Sequence, residues 1–210
     1  MGPWTSPATP TIDVSPDGWD SLVVNNPALF RSADGRWAMI YKGVAIGPPP
    51  FGGAVLHGLA EASDPCGPFR KVPGIHPFTA GKSLFPAEDP FAWYDPASRV
   101  YRAIVKDMDG SLVGQGRSLV FFESKDARDW QVSRIPAISA SEIWWEDTGR
   151  EDYARIERPQ VTFDPEGRPV ALQLACLPAA PDSVSFSLSV PLPPDFFENG
   201  GTSALFHSTR

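Results

Sequence analysis

The chain has 210 residues, 42% hydrophobic and 20% charged, a composition that suits a globular core and excludes a disordered chain. Its net charge of −7 and the lack of any Lys or Arg run exclude the clustered basic face that nucleic-acid binding requires. The 24 prolines and 18 glycines fall between apolar runs as turn punctuation, a density that argues against long helices, where each interior proline costs about 3 kcal/mol.

The N-terminal residues MGPWTSPATP carry neither a basic n-region nor an apolar h-region, so no signal peptide is visible. No apolar stretch reaches the roughly 18–20 residues of a membrane span, so no membrane partner is expected. The chain as given reads as cytoplasmic, an expectation that a missing N-terminus would change. Ser15-Pro16-Asp17-Gly18-Trp19, a polar Ser-x-Asp turn followed by an aromatic, looks like the ending of a unit that precedes the first full one.

Three segments then share one grammar: Asn25 to Gly43 (NNPALFRSADGRWAMIYKG), Glu88 to Asp107 (EDPFAWYDPASRVYRAIVKD) and Glu157 to Cys176 (ERPQVTFDPEGRPVALQLAC). Each opens with polar residues and a proline, at Pro27, Pro90 and Pro159, which stand 63 and 69 residues apart. A β-run, a turn (Asp34-Gly35, Glu166-Gly167) and an alternating second run follow, which is the pattern of a hairpin. Further strand-like material fills the space behind the first two hairpins, with Ser63 to Pro65 and Ser124 to Asp126 as polar turns.

Units of roughly 65 residues holding antiparallel strands predict an all-β propeller of four-stranded blades, with a two-sheet sandwich as the alternative. The repeats lie near 25–75, 88–136 and 157–194 of one domain over 1–210. Three blades are fewer than the four to eight that usually close a ring. The chain is therefore expected to be an incomplete ring: a fragment, or a protein that covers its open faces by self-association.

The first residues of innermost propeller strands converge on the axis. Those positions hold Asn25 and Asn26, Glu88 and Asp89, Glu157 and Arg158. Carboxylates crowded at an axis shift their pKa values, which is what general acid catalysis uses. The plain alternative is strand entry at Asp-Pro, with Glu157 in an ordinary ion pair with Arg155 or Arg158. Trp144 and Trp145 are candidates for an exposed sugar-stacking platform, whereas Trp37, Trp93 and Trp130 read as core. His57 reads as a satisfied structural histidine, or else as a hydrogen-bond donor in the pocket. His57, His76 and His207 lack metal-ligand spacing, and no metal or cofactor is implied. Lys42, Lys106 and Asp107 read as solvated strand ends, Gly110 to Gly116 as a plain loop, and Cys66 and Cys176 as two buried thiols.

The order NNPALF, DGRWAMIYKG, GLAEASDPCGPF, EDPFAWYD, ERPQVTFDPEGRPVAL resembles the five-bladed propeller glycosidases related to glycoside hydrolase family 43, over roughly Ser15 to Pro194. The resemblance implies a hydrolase of glycosidic bonds that takes a carbohydrate substrate and uses carboxylates from successive blades. By position, Asp89 resembles the positioning carboxylate and Glu157 the general acid, with Glu88 in reserve. The early carboxylate has no counterpart, because Asn26 stands there and an amide cannot act as a base. Two other functions stay open: a non-catalytic carbohydrate- or protein-binding propeller (or inactive remnant), and a glycoside phosphorylase.

Overall fold

The computed structural model describes residues 3, 5, 8–48, 52–140, 143–145, 149–194 and 196, and these form an all-β protein. The first sheet runs in chain order through β1 (Val23–Arg31), β2 (Trp37–Val44), β3 (Val55–Ala62) and β4 (Arg70–Val72). The second repeats it with β5 (Ala87–Asp95), β6 (Val100–Asp107), β7 (Leu119–Ser124) and β8 (Gln131–Ile138). A small hairpin of β9 (Ile143–Trp145) and β10 (Gly149–Glu151) precedes the third sheet, β11 (Tyr153–Phe163), β12 (Pro169–Pro178) and β13 (Phe186–Pro191). All strand pairs are antiparallel. Each sheet is thus a meander, the local topology of a propeller blade.

The hairpins close where turn residues permit a left-handed backbone. Gly35 (φ 83°) and Gly167 (φ 81°) do so in the first and third sheets, and Arg99 (φ 57°) takes the strained conformation in the second. Period-2 alternation then buries the second sheet on both faces. Ala92, Ala103, Val105 and Phe122 pack against Phe30, Ile40 and Leu59 of the first sheet. Trp93, Ile104 and Phe121, on the opposite face, pack against Ile156, Leu172 and Leu174 of the third. The innermost strands β1, β5 and β11 lie side by side, β5 in the middle.

Two expectations need correction. Among the described residues the third sheet has three strands, not four. Ser15 to Trp19 forms a turn, and Trp19 stacks on Tyr41 at 5.7 Å. Cys66 is exposed and only Cys176 is buried, where loss of solvation, with Glu151 adding, pushes its thiol up to about 12.

Candidate functional site

The three leading prolines mark one repeated backbone device. In each inner strand the register slips just there: between Asn25 and Ala28, between Glu88 and Phe91, and between Glu157 and Gln160. The residue before each proline is left-handed, with φ 46° at Asn26, 49° at Asp89 and 54° at Arg158. A non-glycine residue pays about 1–2 kcal/mol for that conformation, and a following proline ordinarily drives its neighbour toward extended backbone. Such strain persists only where the surrounding sheet enforces it, and a bulge re-aims the side chain it carries.

The result is a pocket of about 360 Å³ lined by Asn26, Pro27, Asp89, Pro90, Arg158 and Gln160. Asn26 donates its Nδ2 to Asp89 Oδ1 at 2.7 Å, tying two blades across it. Asn25 is exposed beside the pocket, opposite Lys42 in register.

Glu88 and Glu157 are engaged by lysines. Lys42 Nζ meets Glu88 Oε1 at 2.7 Å, while Lys106 Nζ bonds Glu157 and stands 4.0 Å from Glu88 Oε2. The lysine side chains are only 12% and 5% exposed, so they are not the solvated strand ends their sequence suggested. Each is placed by the first two sheets at the seam with the next, where a carboxylate compensates the cost of its burial.

These surroundings drive two carboxyls in opposite directions. Burial, then the adjacent Glu88, raises Asp89, against the opposing pull of Arg158, Lys42 and Lys106. Burial would also raise Glu157, but the hydrogen bond and charge of Lys106, with Arg155 and Arg158, hold it below the ordinary range. The surroundings therefore move Asp89 up and Glu157 down from their ordinary values.

Asp107 is fully buried, and its carboxylate accepts from the amides of Gly110, Leu112 and Val113 at 2.8, 3.2 and 3.1 Å. The glycine-rich loop is thus wound around a buried carboxyl group. His57 lies inside the interface of the first two sheets, its ring 5.5 Å from Phe78, and its Nε2 has no partner among the described residues. Burial, with Lys42 nearby, lowers it to about 3 and keeps it neutral, so it is neither satisfied nor part of the pocket lining. Trp145 is 4% exposed and donates Nε1 to Tyr153 at 2.9 Å, which removes it from any exposed platform; the side chain of Trp144 lies outside the described residues.

The sequence reading overlooked Lys42 and Lys106 as partners and Gln160 as lining. The available signal was a lysine near the end of both second strands, each beside an inner-strand position of the next repeat. Among the described residues no group of three His, Cys, Asp or Glu side chains could hold a metal ion.

No family profile and no curated protein sequence matches the chain. Solved structures do. A thermostable family-43 glycoside hydrolase matches with a TM-score of 0.56 and 17% identity, over 88% of this chain and 57% of its own. A protein described as a glycoside hydrolase matches at 0.53 and 15%, over 80% of this chain and 53% of that one. An endo-1,4-beta-xylanase from Bacteroides thetaiotaomicron matches at 0.51 and 14%, over 81% and 55%. The chain thus spans little more than half the length of these relatives. The likeness is one of fold: sheets arranged as in part of a β-propeller.

Proposed function

We propose that this propeller hydrolyses glycosidic bonds, with Asp89 and Glu157 as the pair of carboxyls that divide the acid and ionised roles between them. The reading is supported by equivalent bulges on adjacent inner strands, which set Asp89 in the polar pocket and Glu157 beside Lys106 on the next strand, with burial raising the first carboxyl and Lys106 lowering the second. Glycosidic cleavage needs one carboxyl protonated and another ionised at the same pH, and unlike surroundings are how one fold supplies both. Asn26 would fix the orientation of Asp89 through its amide. Phosphorolysis is disfavoured, because Lys42 and Lys106 are committed to Glu88 and Glu157 and leave Arg158 as the pocket's cation.

A second reading, sugar binding without cleavage, draws on Asn26, whose amide stands where an early carboxylate would serve as base. A panel of aryl glycosides separates the two. Turnover that Asp89→Asn and Glu157→Gln each lower by at least about a hundredfold, with unchanged folding, supports hydrolysis. Saturable binding of sugars with no turnover of any supports the second reading. Absence of both overturns the carbohydrate assignment.

A further inference from the structure

We infer that the pocket formed by Asn26, Asp89 and Arg158 selects a sugar bearing a carboxylate, a uronic acid, with Arg158 as the specificity-determining group; this rests on the carbohydrate reading above.

The first ground is charge. Lys42 and Lys106 are matched by Glu88 and Glu157, so these four groups cancel around the pocket. Among the lining residues only Asp89 and Arg158 are ionisable. Arg158 makes no side-chain ion pair or hydrogen bond within the distance criteria among the described residues, although its charge acts on Asp89 and Glu157. Asp89 instead directs Oδ1 to the Asn26 amide. An open guanidinium fork is therefore presented to the pocket.

The second ground is shape. A guanidinium offers two parallel N–H donors that fit a planar carboxylate, and one guanidinium neutralises one carboxylate but only half of a phosphate dianion. The pocket's roughly 360 Å³ lies at the small end of ligand sites, room for a single ring. The Asn26 and Gln160 amides supply neutral donors and acceptors for hydroxyls.

The third ground is linkage. Facing Asp89 are Glu88 on its own strand, Asn26 on β1, Lys42 on β2, Lys106 on β6 and Arg158 on β11. A bound carboxylate would offset the field of Arg158, which opposes protonation, and would add a like charge beside Asp89. Binding an acidic sugar thus takes up a proton at Asp89 and weakens as pH rises through that group's titration. A neutral sugar shows neither effect.

The test compares sugars that differ only in the carboxylate: methyl β-D-glucuronide against methyl β-D-xyloside, and methyl β-D-galacturonide against methyl α-L-arabinopyranoside. Calorimetry on the full chain, in buffers of different ionisation enthalpy, reads affinity and proton uptake together. One acidic member is expected to bind at least about tenfold tighter than its neutral partner. Arg158→Gln and Arg158→Lys, both checked for unchanged thermal unfolding, should erase that preference, and Asp89→Asn should erase the proton uptake. Equal binding within both pairs overturns the uronate assignment and leaves the carbohydrate reading intact. Failure of every sugar to bind overturns both. Tighter binding of inorganic phosphate than of either uronide also overturns the uronate assignment.

Discussion

Lys106 of β6 donates its ammonium to Glu157 of β11 across the seam between the second and third sheets, and the same nitrogen stands 4.0 Å from Glu88 of its own sheet. The lysine is almost enclosed, and those two carboxylates offset the cost of its burial. Lys106→Met should destabilise the fold at pH 7 by about 1–3 kcal/mol, less than a fully buried pair because Glu157 keeps some solvent contact. Glu157 is depressed in the folded state, so its contribution is present above its ordinary value of 4.5 and is lost as pH falls through the folded value. Denaturant titrations should show the gap between wild type and variant narrowing as the pH drops below that range. A gap independent of pH would mean that Lys106 contributes through packing of its stem instead.

Asp89 carries the opposite sign. Its folded-state value is raised above 3.8, so the ionised carboxylate opposes folding and the penalty vanishes once the pH falls below both values. Asp89→Asn keeps an acceptor for Asn26 and should be as stable as wild type at pH 3, and more stable than wild type at pH 7. Carbon-13 NMR of the carboxyl adds a second check. Glu88→Gln should lower the Asp89 midpoint, because it removes a like charge, and Arg158→Gln should raise it further. Midpoint shifts in the reverse directions would contradict the electrostatic origin assigned here.

Gly43 and Gly58 form the floor beneath Trp19. A β-carbon at Gly43 would come within 2.3 Å of the indole and 2.5 Å of the Asp20 side chain, and one at Gly58 within 2.6 Å of the Tyr41 ring and 2.7 Å of Trp19. Neither contact is tolerable, so Gly43→Ala should lift Trp19 off the first sheet and strain the buried Lys71–Asp20 pair below it. A loss of about 2 kcal/mol and a red-shifted tryptophan emission are expected. An unaltered emission spectrum would show that the indole is not seated as described.

The hairpins and their faces were legible because period-2 alternation and turn chemistry are written residue by residue. The three leading prolines also marked the right places. What they mark was not legible. A residue before proline is expected to be extended, yet Asn26, Asp89 and Arg158 are all left-handed, because inter-strand register and not local preference decides the backbone there. Lys42 and Lys106 follow apolar strands and look like solvated ends. Their burial depends on carboxylates 46 and 51 residues away, which no local pattern connects. The opposite shifts of Asp89 and Glu157 were illegible for the same reason, because their causes are Glu88, Lys106 and the arginines brought close by the fold.

Asp107 shows how a loop without secondary structure gains a fixed shape. Its side chain is sealed from solvent, and Oδ1 and Oδ2 together accept three loop amides while its backbone carbonyl accepts from Arg117 at 2.6 Å. The loop gives those amides no strand partners, so the carboxylate takes the place of a neighbouring chain. Asp107→Ala would leave three amides to find water in a space shaped for an anion, at about 3 kcal/mol or more. Asp107→Asn would retain one acceptor oxygen but turn an NH2 group toward N–H donors, so it should recover little of that loss. Hydrogen exchange supplies the check: Gly110, Leu112 and Val113 should lose protection in both variants, while Ile104 and Phe121 in the underlying sheet keep theirs. Equal loss in loop and sheet would mean that Asp107 holds the blade rather than the loop.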